Sequence, residues 1–178
     1  MPAITRTNNA TLHFRVDDHT DPWKNAGTIV LQHGYARSSQ FWQPWVPYLS
    51  RFYRIVRPEL RGHAGSPVDF DPTQDSTLAN YVADVVAVLD RLKIAKAHIL
   101  GVSLGGMITL ASGLKHKQRF LGLHYFMPAD VIPLVEVIRI SATEDAAVRE
   151  VRHLTAETPV CAHFAGDGGN FLRGRRLG

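Results

Sequence analysis

One five-residue segment constrains the fold of this chain more than any other part of the sequence. Gly101-Val102-Ser103-Leu104-Gly105 directly follows the apolar segment AHIL and directly precedes the helix-like segment GMITLASGL. Between a strand and a helix, a G-x-S-x-G segment forces its serine onto a tight turn with strained backbone angles, and its glycines remove side chains that would collide there. The sequence therefore predicts that the Ser103 hydroxyl stands free above the end of a strand.

The same turn would place Ser103 at the N-terminus of a helix. Unpaired backbone N–H groups and the positive end of the helix dipole favour a developing oxyanion at such a position. We therefore expect Ser103 to be a nucleophile and the N–H of Leu104 to be one oxyanion donor. The alternative is a glycine-rich turn with an incidental serine, and the flanking strand and helix argue against it.

Short apolar segments alternate with helical patterns along the first two thirds of the chain. The segments typical of strands buried on both faces are 28–32, 53–57 and 98–100. The clearest helix covers 78–92, a second covers 40–49, and the first 16 residues alternate like an edge hairpin. Strands that alternate with helices predict an α/β fold with a mainly parallel sheet and helices on both faces.

The last third of the chain has weaker patterns. Segments 121–127 and 160–164 are strand candidates, and the composition of 131–154 between them is helical. Segment 166–178 is rich in Gly and Arg and lacks apolar periodicity, which predicts neither strand nor helix. We therefore expect a single domain over 1–165 and an irregular basic tail over 166–178.

Composition excludes several classes of protein. A single cysteine, Cys161, excludes an internal disulfide framework and a zinc cluster of thiolates. The serine chemistry expected of this chain requires no metal and no organic cofactor. The net charge of +4 is not arranged as a basic stripe with stacking aromatics, which argues against a nucleic-acid partner. The N-terminus lacks a secretory pattern and no segment has a membrane-spanning length of apolar residues, so we expect a soluble cytoplasmic protein without a membrane partner.

Three motifs have the form of loops that surround a catalytic serine in one known superfamily. Leu31-Gln32-His33-Gly34-Tyr35 resembles its oxyanion loop, Arg61-Gly62-His63-Ala64-Gly65-Ser66 resembles its RGHGxS loop, and GVSLGG at 101–106 resembles its nucleophile elbow. The sequence from about residue 28 to 126 thus resembles the α/β-hydrolase superfamily, and among its members the small serine hydrolases such as 3-oxoadipate enol-lactonases and haloperoxidase-like esterases. Glu59 departs from the pattern, because an aspartate is common there.

The resemblance implies an α/β-hydrolase fold and a cofactor-free hydrolysis of ester, thioester or lactone bonds in small molecules. Ser103 would be the nucleophile, and the N–H groups of Tyr35 and Leu104 would form the oxyanion hole. His33 and Gly34 would belong to the oxyanion loop, and Gly101 and Gly105 would form the elbow. His33 is expected to shape its loop by hydrogen bonding.

The order of the triad in this family is Ser, acid, His. Asp167, in the Gly-Asp segment after 160–164, is the first candidate for the acid, and Asp130, after 121–127, is the second. All nine histidines precede Asp167, so none has the family's usual position. The cap and the final strand and helix of the family also look reduced or absent.

Two main hypotheses follow. The first is an active serine hydrolase that uses Ser103. The second is a truncated, catalytically impaired relative with a non-enzymatic or interaction role, because loss of a triad member removes most of the rate acceleration. A third hypothesis is that a second subunit supplies the histidine. An unpaired edge on the last strand is expected to favour a homo-oligomer.

Overall fold

The structure, a computed structural model, describes residues 2–6, 10–116, 120–125, 135–139, 160–164 and 175–176. In these residues the strands are β1 (Ala3–Thr5), β2 (Thr11–Asp17), β3 (Gly27–Gln32), β4 (Tyr53–Pro58), β5 (Ala97–Val102), β6 (Phe120–Tyr125), β7 (Val135–Arg139), β8 (Val160–Phe164) and β9 (Arg175–Arg176). The α-helices are α1 (Val46–Leu49), α2 (Pro72–Asp75), α3 (Leu78–Arg91) and α4 (Leu104–Lys115), and a 3₁₀ helix covers Ser39–Trp45.

The described strands form one sheet in the order β1-β2-β4-β3-β5-β6-β7-β8-β9. The central strands β4, β3, β5 and β6 are all parallel to their neighbours within that group. The flanks are mixed: β1, β2, β7 and β9 each make an antiparallel pair, while β7 and β8 are parallel. The predicted α/β architecture with a mainly parallel centre is confirmed.

Apolar residues cover both faces of the central strands. On one face, Val30, Val56 and Ile99 pack with α3 and with Ile108 of α4. On the other face, Ile29, Leu31, Ile55 and Leu100 pack with Trp42 of the 3₁₀ helix and Val46 of α1. Strands buried on both faces require continuous apolar segments, as the sequence of β3 shows. The helices thus fix the carboxyl ends of β3, β4 and β5 at one edge, where the candidate site lies.

Helix α3 begins and ends where its sequence pattern predicts, within one residue. Thr77 caps its N-terminus by accepting a hydrogen bond from the N–H of Asn80 at 3.2 Å, and the apolar stripe buries Val82, Val85 and Leu89. None of the helices in the described ranges combines the length and the apolarity needed to cross a membrane.

The structure corrects the sequence prediction in the last third of the chain. Segment 131–154 was predicted to be helical, but its residues Val135–Arg139 form strand β7. Val135, Val137 and Ile138 are β-branched and favour a strand, and β7 pairs with both β6 and β8. The rest of 131–154 lies outside the described residues.

The segment 166–178 was predicted to form neither strand nor helix, and this is wrong for two residues. Arg175–Arg176 form β9, which pairs antiparallel with Cys161 and Ala162 of β8. Main-chain hydrogen bonds to a strand edge require no apolar pattern in the added segment. The edge of β8, expected to be unpaired, is therefore covered over these residues, and the other residues of the segment lie outside the described part.

Candidate active site

Ser103 occupies the sharp turn between β5 and α4. Its backbone angles are φ 54° and ψ −122°, far from the helical values of the residues that follow. A non-glycine residue in such a sparsely populated region costs about 1–3 kcal/mol, so the surrounding structure must hold it there. The side chain is exposed and makes no capping hydrogen bond. The backbone of Ser103 is thus strained, and its hydroxyl lies exposed at the N-terminus of α4.

Two glycines allow this turn to press against the sheet. A Cβ on Gly105 would overlap the carbonyl of Gln32 and lie 2.7 Å from the carbonyl oxygen of His33. A Cβ on Gly101 would overlap the backbone of Gly105 and lie 2.5 Å from Oγ1 of Thr109. The elbow therefore packs backbone to backbone on the end of β3, which carries the oxyanion loop.

Replacement of Gly105 by alanine is expected to lower the free energy of unfolding by about 3 kcal/mol, because the overlapping atoms belong to backbone that cannot move aside. Gly113 on the same helix is the matched control, since no described atom lies within 4 Å of its would-be Cβ. Gly113→Ala is expected to stabilise the helix by up to about 1 kcal/mol. Urea unfolding of both variants measures the two changes in the free energy of unfolding. Equal changes for Gly105→Ala and Gly113→Ala would contradict the close packing of the elbow.

The oxyanion loop lies directly against the elbow. A Cβ on Gly34 would lie 2.9 Å from the carbonyl oxygen of Val102 and 3.1 Å from the Cβ of Ser103. The N–H of Arg37 donates to the carbonyl of Gly34 at 3.3 Å and closes a tight turn, in which Ala36 has a φ of 55°. Tyr35 at the tip of this turn is 72% exposed. The glycine thus brings the Tyr35 backbone close to the serine.

A buried polar cluster supports the oxyanion loop from below. His33 is fully buried; its Nδ1 lies 2.8 Å from the carbonyl oxygen of Gly34, and its Nε2 lies 3.0 Å from the Leu60 amide nitrogen and 3.1 Å from Oε2 of Glu59. A carbonyl oxygen only accepts, so Nδ1 is the protonated nitrogen in this contact. Both ring nitrogens are therefore occupied by loop groups, which makes His33 a structural residue and not a base for Ser103.

Glu59 links this histidine to the 3₁₀ helix. Its carboxylate accepts hydrogen bonds from the N–H and the hydroxyl of Ser39, at 2.9 and 2.5 Å. Arg57 donates to the carbonyl of Ser39 at 3.0 Å and makes a two-point contact with Asp17. Sequence analysis singled out Glu59 only as a departure from the family pattern and did not find Ser39. Ser39 lies 20 residues from Glu59 in the chain, and no local sequence pattern marks this contact.

The environment of Glu59 makes the stability of this cluster depend on pH. Burial alone would raise the pKa of Glu59, but the neighbouring His33 ring and the two hydrogen bonds from Ser39 outweigh it and hold the pKa below the ordinary value of 4.5. A depressed pKa means that the ionised carboxylate stabilises the fold above its unfolded-state pKa. This stabilisation is lost as the pH falls through the lower, folded-state value.

We therefore expect Glu59→Gln to be less stable than the wild type at neutral pH. The gap between their free energies of unfolding should narrow as the pH is lowered. Urea unfolding of both proteins between about pH 7 and about pH 3 measures the gap. A gap that stays constant over this range would contradict the assignment of a stabilising, ionised Glu59.

The loop after β4 flanks the oxyanion loop on its other side. Arg61 is buried and bound to Asp84 of α3 by two hydrogen bonds of 2.6 and 2.7 Å. Nδ1 of His63 lies 3.0 Å from the carbonyl oxygen of Arg61, and the His63 ring contacts the Tyr35 ring edge-on at 5.3 Å between centroids. The two loops enclose an open cleft of about 780 Å³ that Tyr35 and His63 both line.

The structure brings most of the predicted site residues together at the ends of β3 and β5. The residues at these two strand ends are Ser103, the elbow glycines Gly101 and Gly105, the following residue Leu104, and the loop residues His33, Gly34 and Tyr35. The backbone N–H groups of Leu104 and Tyr35 have no backbone partner within the described residues. Both acid candidates, Asp130 and Asp167, lie outside the described residues. No cluster suited to a metal ion occurs in the part of the chain that was described.

Known proteins resemble this chain in sequence and in fold. It is 34% identical to 3-oxoadipate enol-lactonase 1 of Acinetobacter baylyi over 120 residues, which cover 67% of this chain and 42% of that protein. It is 32% identical to a putative carbamate hydrolase, RutD, of Caulobacter vibrioides over 112 residues, or 63% of this chain and 40% of that protein. The chain thus spans less than half the length of these curated relatives.

A solved structure shows the same likeness. The crystal structure of the enol-lactonase from Burkholderia xenovorans superimposes with a TM-score of 0.61 at 28% identity, and the match covers 86% of this chain and 54% of that one. The family model of the alpha/beta hydrolase fold matches residues 27–142, which include the oxyanion loop, the elbow and all of the central parallel strands. The resemblance to the α/β-hydrolase superfamily is thereby confirmed, and the chain belongs to the α/β-hydrolase fold family.

Proposed function

We propose that the protein is a serine hydrolase that cleaves ester, thioester or lactone bonds, with Ser103 as its nucleophile. One observation carries the proposal: Ser103 is an exposed, non-glycine residue held at φ 54° on the turn between a buried strand and a helix. Such strain persists only where the surrounding structure holds the residue in place. Here the close contact between the elbow and the backbone of the oxyanion loop does so. Glycine at position 103 would adopt this backbone conformation without the strain. Serine there carries a cost in stability, which a role for its hydroxyl explains.

The arrangement supports nucleophilic attack on an acyl carbonyl. The Ser103 hydroxyl would add to the carbonyl carbon, and the N–H groups of Leu104 and Tyr35 would donate to the oxyanion that forms. Collapse of this tetrahedral intermediate would break the bond to the alcohol, which takes up the proton removed from the serine, and would leave an acyl-enzyme that water then hydrolyses. Removal of the hydroxyl proton requires a base oriented by an acid, and we propose Asp167 as that acid, with Asp130 as the alternative.

The relatives support the same class of reaction. The names of two of them describe a lactonase and a putative carbamate hydrolase, and both reactions involve attack on an acyl carbonyl next to oxygen. A lactone and an ester differ only in whether the leaving alcohol stays attached to the acyl group. A nucleophilic serine with an oxyanion hole serves both substrates.

The hydrolysis of two small probes tests the proposal. We expect the purified chain to hydrolyse 4-nitrophenyl butyrate, an ester, and dihydrocoumarin, a lactone, with a turnover number of about 1 per second or more, which lies in the ordinary enzyme range. The release of 4-nitrophenol and the opening of the lactone ring are followed by absorbance. Folded protein that hydrolyses neither probe above the buffer rate would contradict the proposal and favour a catalytically impaired relative.

A further inference from the structure

A small internal cavity lies between the sheet and helix α3. Its volume is about 10 Å³, and every residue that lines it is buried. None of the lining residues belongs to the elbow or to the proposed oxyanion hole, so the polar groups in its wall need an explanation other than the reaction. Apolar residues form more than half of the wall, and they are Leu12, Pro58, Leu60, Val85 and Val88.

The side-chain amide of Gln32 is the first of these polar groups. Gln32 is the last residue of β3, it is 1% exposed, and it lines the cavity. Its Nε2 has no hydrogen-bond partner among the described atoms. A buried donor without a partner destabilises a fold by more than an ordinary hydrogen bond stabilises it, so native structures nearly always pair such groups. The amide of Gln32 therefore needs an acceptor inside the cavity.

Asp84 of α3 lines the same cavity and keeps an unused acceptor position. Its Oδ1 accepts hydrogen bonds from Arg6 at 3.1 Å and from Arg61 at 2.6 Å. Within the described part of the chain, Oδ2 accepts one hydrogen bond, from Arg61 at 2.7 Å. A carboxylate oxygen has two lone pairs, so Oδ2 has room for a second donor. An unpaired donor and an open acceptor position thus border one small space.

Glu59 also lines the cavity, but its carboxylate is bound elsewhere. Both of its oxygens accept hydrogen bonds from Ser39, the first residue of the 3₁₀ helix. That helix packs on the face of the sheet opposite to α3. Asp84 is therefore the carboxylate that shares the cavity with the amide of Gln32.

The size and the polarity of the cavity match a single water molecule. A buried water needs roughly 10–15 Å³ of space and two to four polar partners, and cavities that stay empty are apolar. The volume of about 10 Å³ lies at the lower end of that range, so it admits a water molecule but no organic ligand. Water also supplies what both groups lack, because it accepts a hydrogen bond from an N–H and donates one to a carboxylate.

We propose that this cavity binds one structural water, which accepts a hydrogen bond from Nε2 of Gln32 and donates one to Oδ2 of Asp84. The water ties the end of β3 to helix α3. Gln32 directly precedes His33, and its backbone carbonyl packs against Gly105 of the elbow. The water thus stabilises the strand end that carries the oxyanion loop. This site is independent of the proposed reaction, and its test requires no turnover.

The melting temperature of Gln32→Met gives one test, because Met has the length of Gln but no amide. Removal of an unpaired amide would raise the melting temperature, whereas removal of an amide that holds a water should lower it by at least about 2 °C. Ser112→Ala is the matched control: its hydroxyl is buried without a partner among the described atoms, and Ser112 does not line the cavity. This control should melt at or above the wild-type temperature. Gln32→Met that does the same would overturn the proposal.

Magnetisation transfer between water and the Gln32 amide protons tests the site directly by NMR. These protons are assigned through their bonds to the rest of the Gln32 side chain and are absent from Gln32→Met. We expect a cross-peak to the water resonance, with the sign of a water molecule that tumbles with the protein. The cross-peak should persist in Tyr81→Phe, which removes the hydroxyl of another residue that lines the cavity. An assigned Gln32 amide without this cross-peak, or a cross-peak that disappears in Tyr81→Phe, would overturn the proposal.

Discussion

Replacement of Ser103 by alanine is expected to lower kcat/KM for 4-nitrophenyl butyrate by at least about 10³-fold, because a covalent route through an acyl-enzyme is lost. The proposed oxyanion donors are backbone groups that remain in place, so substrate binding should change much less than kcat. The Ser103 hydroxyl makes no hydrogen bond within the described residues, and the thermal stability of the variant should stay close to that of the wild type. Steady-state kinetics and thermal unfolding on the same preparation measure both quantities.

The matched control is another serine on the same helix. Ser112 is fully buried in α4, and its hydroxyl finds no partner among the described atoms. Ser112→Ala is therefore expected to keep the activity of the wild type. If Ser103→Ala retained more than about a tenth of the wild-type kcat/KM, the role of Ser103 as nucleophile would be refuted.

Replacement of Asp84 by alanine is expected to lower the free energy of unfolding by about 3–5 kcal/mol, the cost of leaving a buried charge without its partner. Asp84 holds Arg61 by two short hydrogen bonds and also accepts one from Arg6 at 3.1 Å. The Arg61 side chain is fully buried, so its guanidinium cannot turn to solvent when the carboxylate is removed. Because Arg61 begins the loop that carries His63, the variant should also weaken the wall of the cleft.

An exposed ion pair provides the comparison for this variant. Nζ of Lys24 lies 2.6 Å from Oδ2 of Asp21, but both side chains are exposed. Asp21→Ala is expected to cost less than about 1 kcal/mol, as is usual for surface pairs. Urea unfolding of both variants measures the two costs. Similar values for Asp84→Ala and Asp21→Ala would show that the buried pair contributes far less than its geometry indicates.

The parts of the fold that sequence patterns predicted are those whose geometry is set locally. The elbow follows from residues 101–105 alone, because only glycine at its two outer positions permits the turn. Helix α3 follows from an apolar stripe and a threonine cap within 15 residues. The central strands follow from short apolar segments, since burial on both faces leaves little room for polar residues.

Contacts between distant residues could not be predicted in this way. The carboxylate of Glu59 accepts a hydrogen bond from Ser39, 20 residues away in the chain, and Arg61 donates to Asp84, 23 residues away. The periodicity of α3 indicates its buried stripe but does not show that Asp84 beside that stripe pairs with an arginine. Strand β7 was missed because the helical composition of 131–154 outweighed the β-branched residues of a five-residue segment. The cleft lies between two loops 20 to 30 residues apart in the chain, and no single segment reveals it.

Intact-mass spectrometry after incubation with a fluorophosphonate tests the central claim most directly, because this reagent forms a covalent bond only with an activated serine. The account predicts one adduct on the wild-type chain, none on Ser103→Ala, and an unchanged adduct on Ser112→Ala. The absence of any adduct on folded wild-type protein, or an equal adduct on Ser103→Ala, would contradict the account of Ser103 as an activated nucleophile.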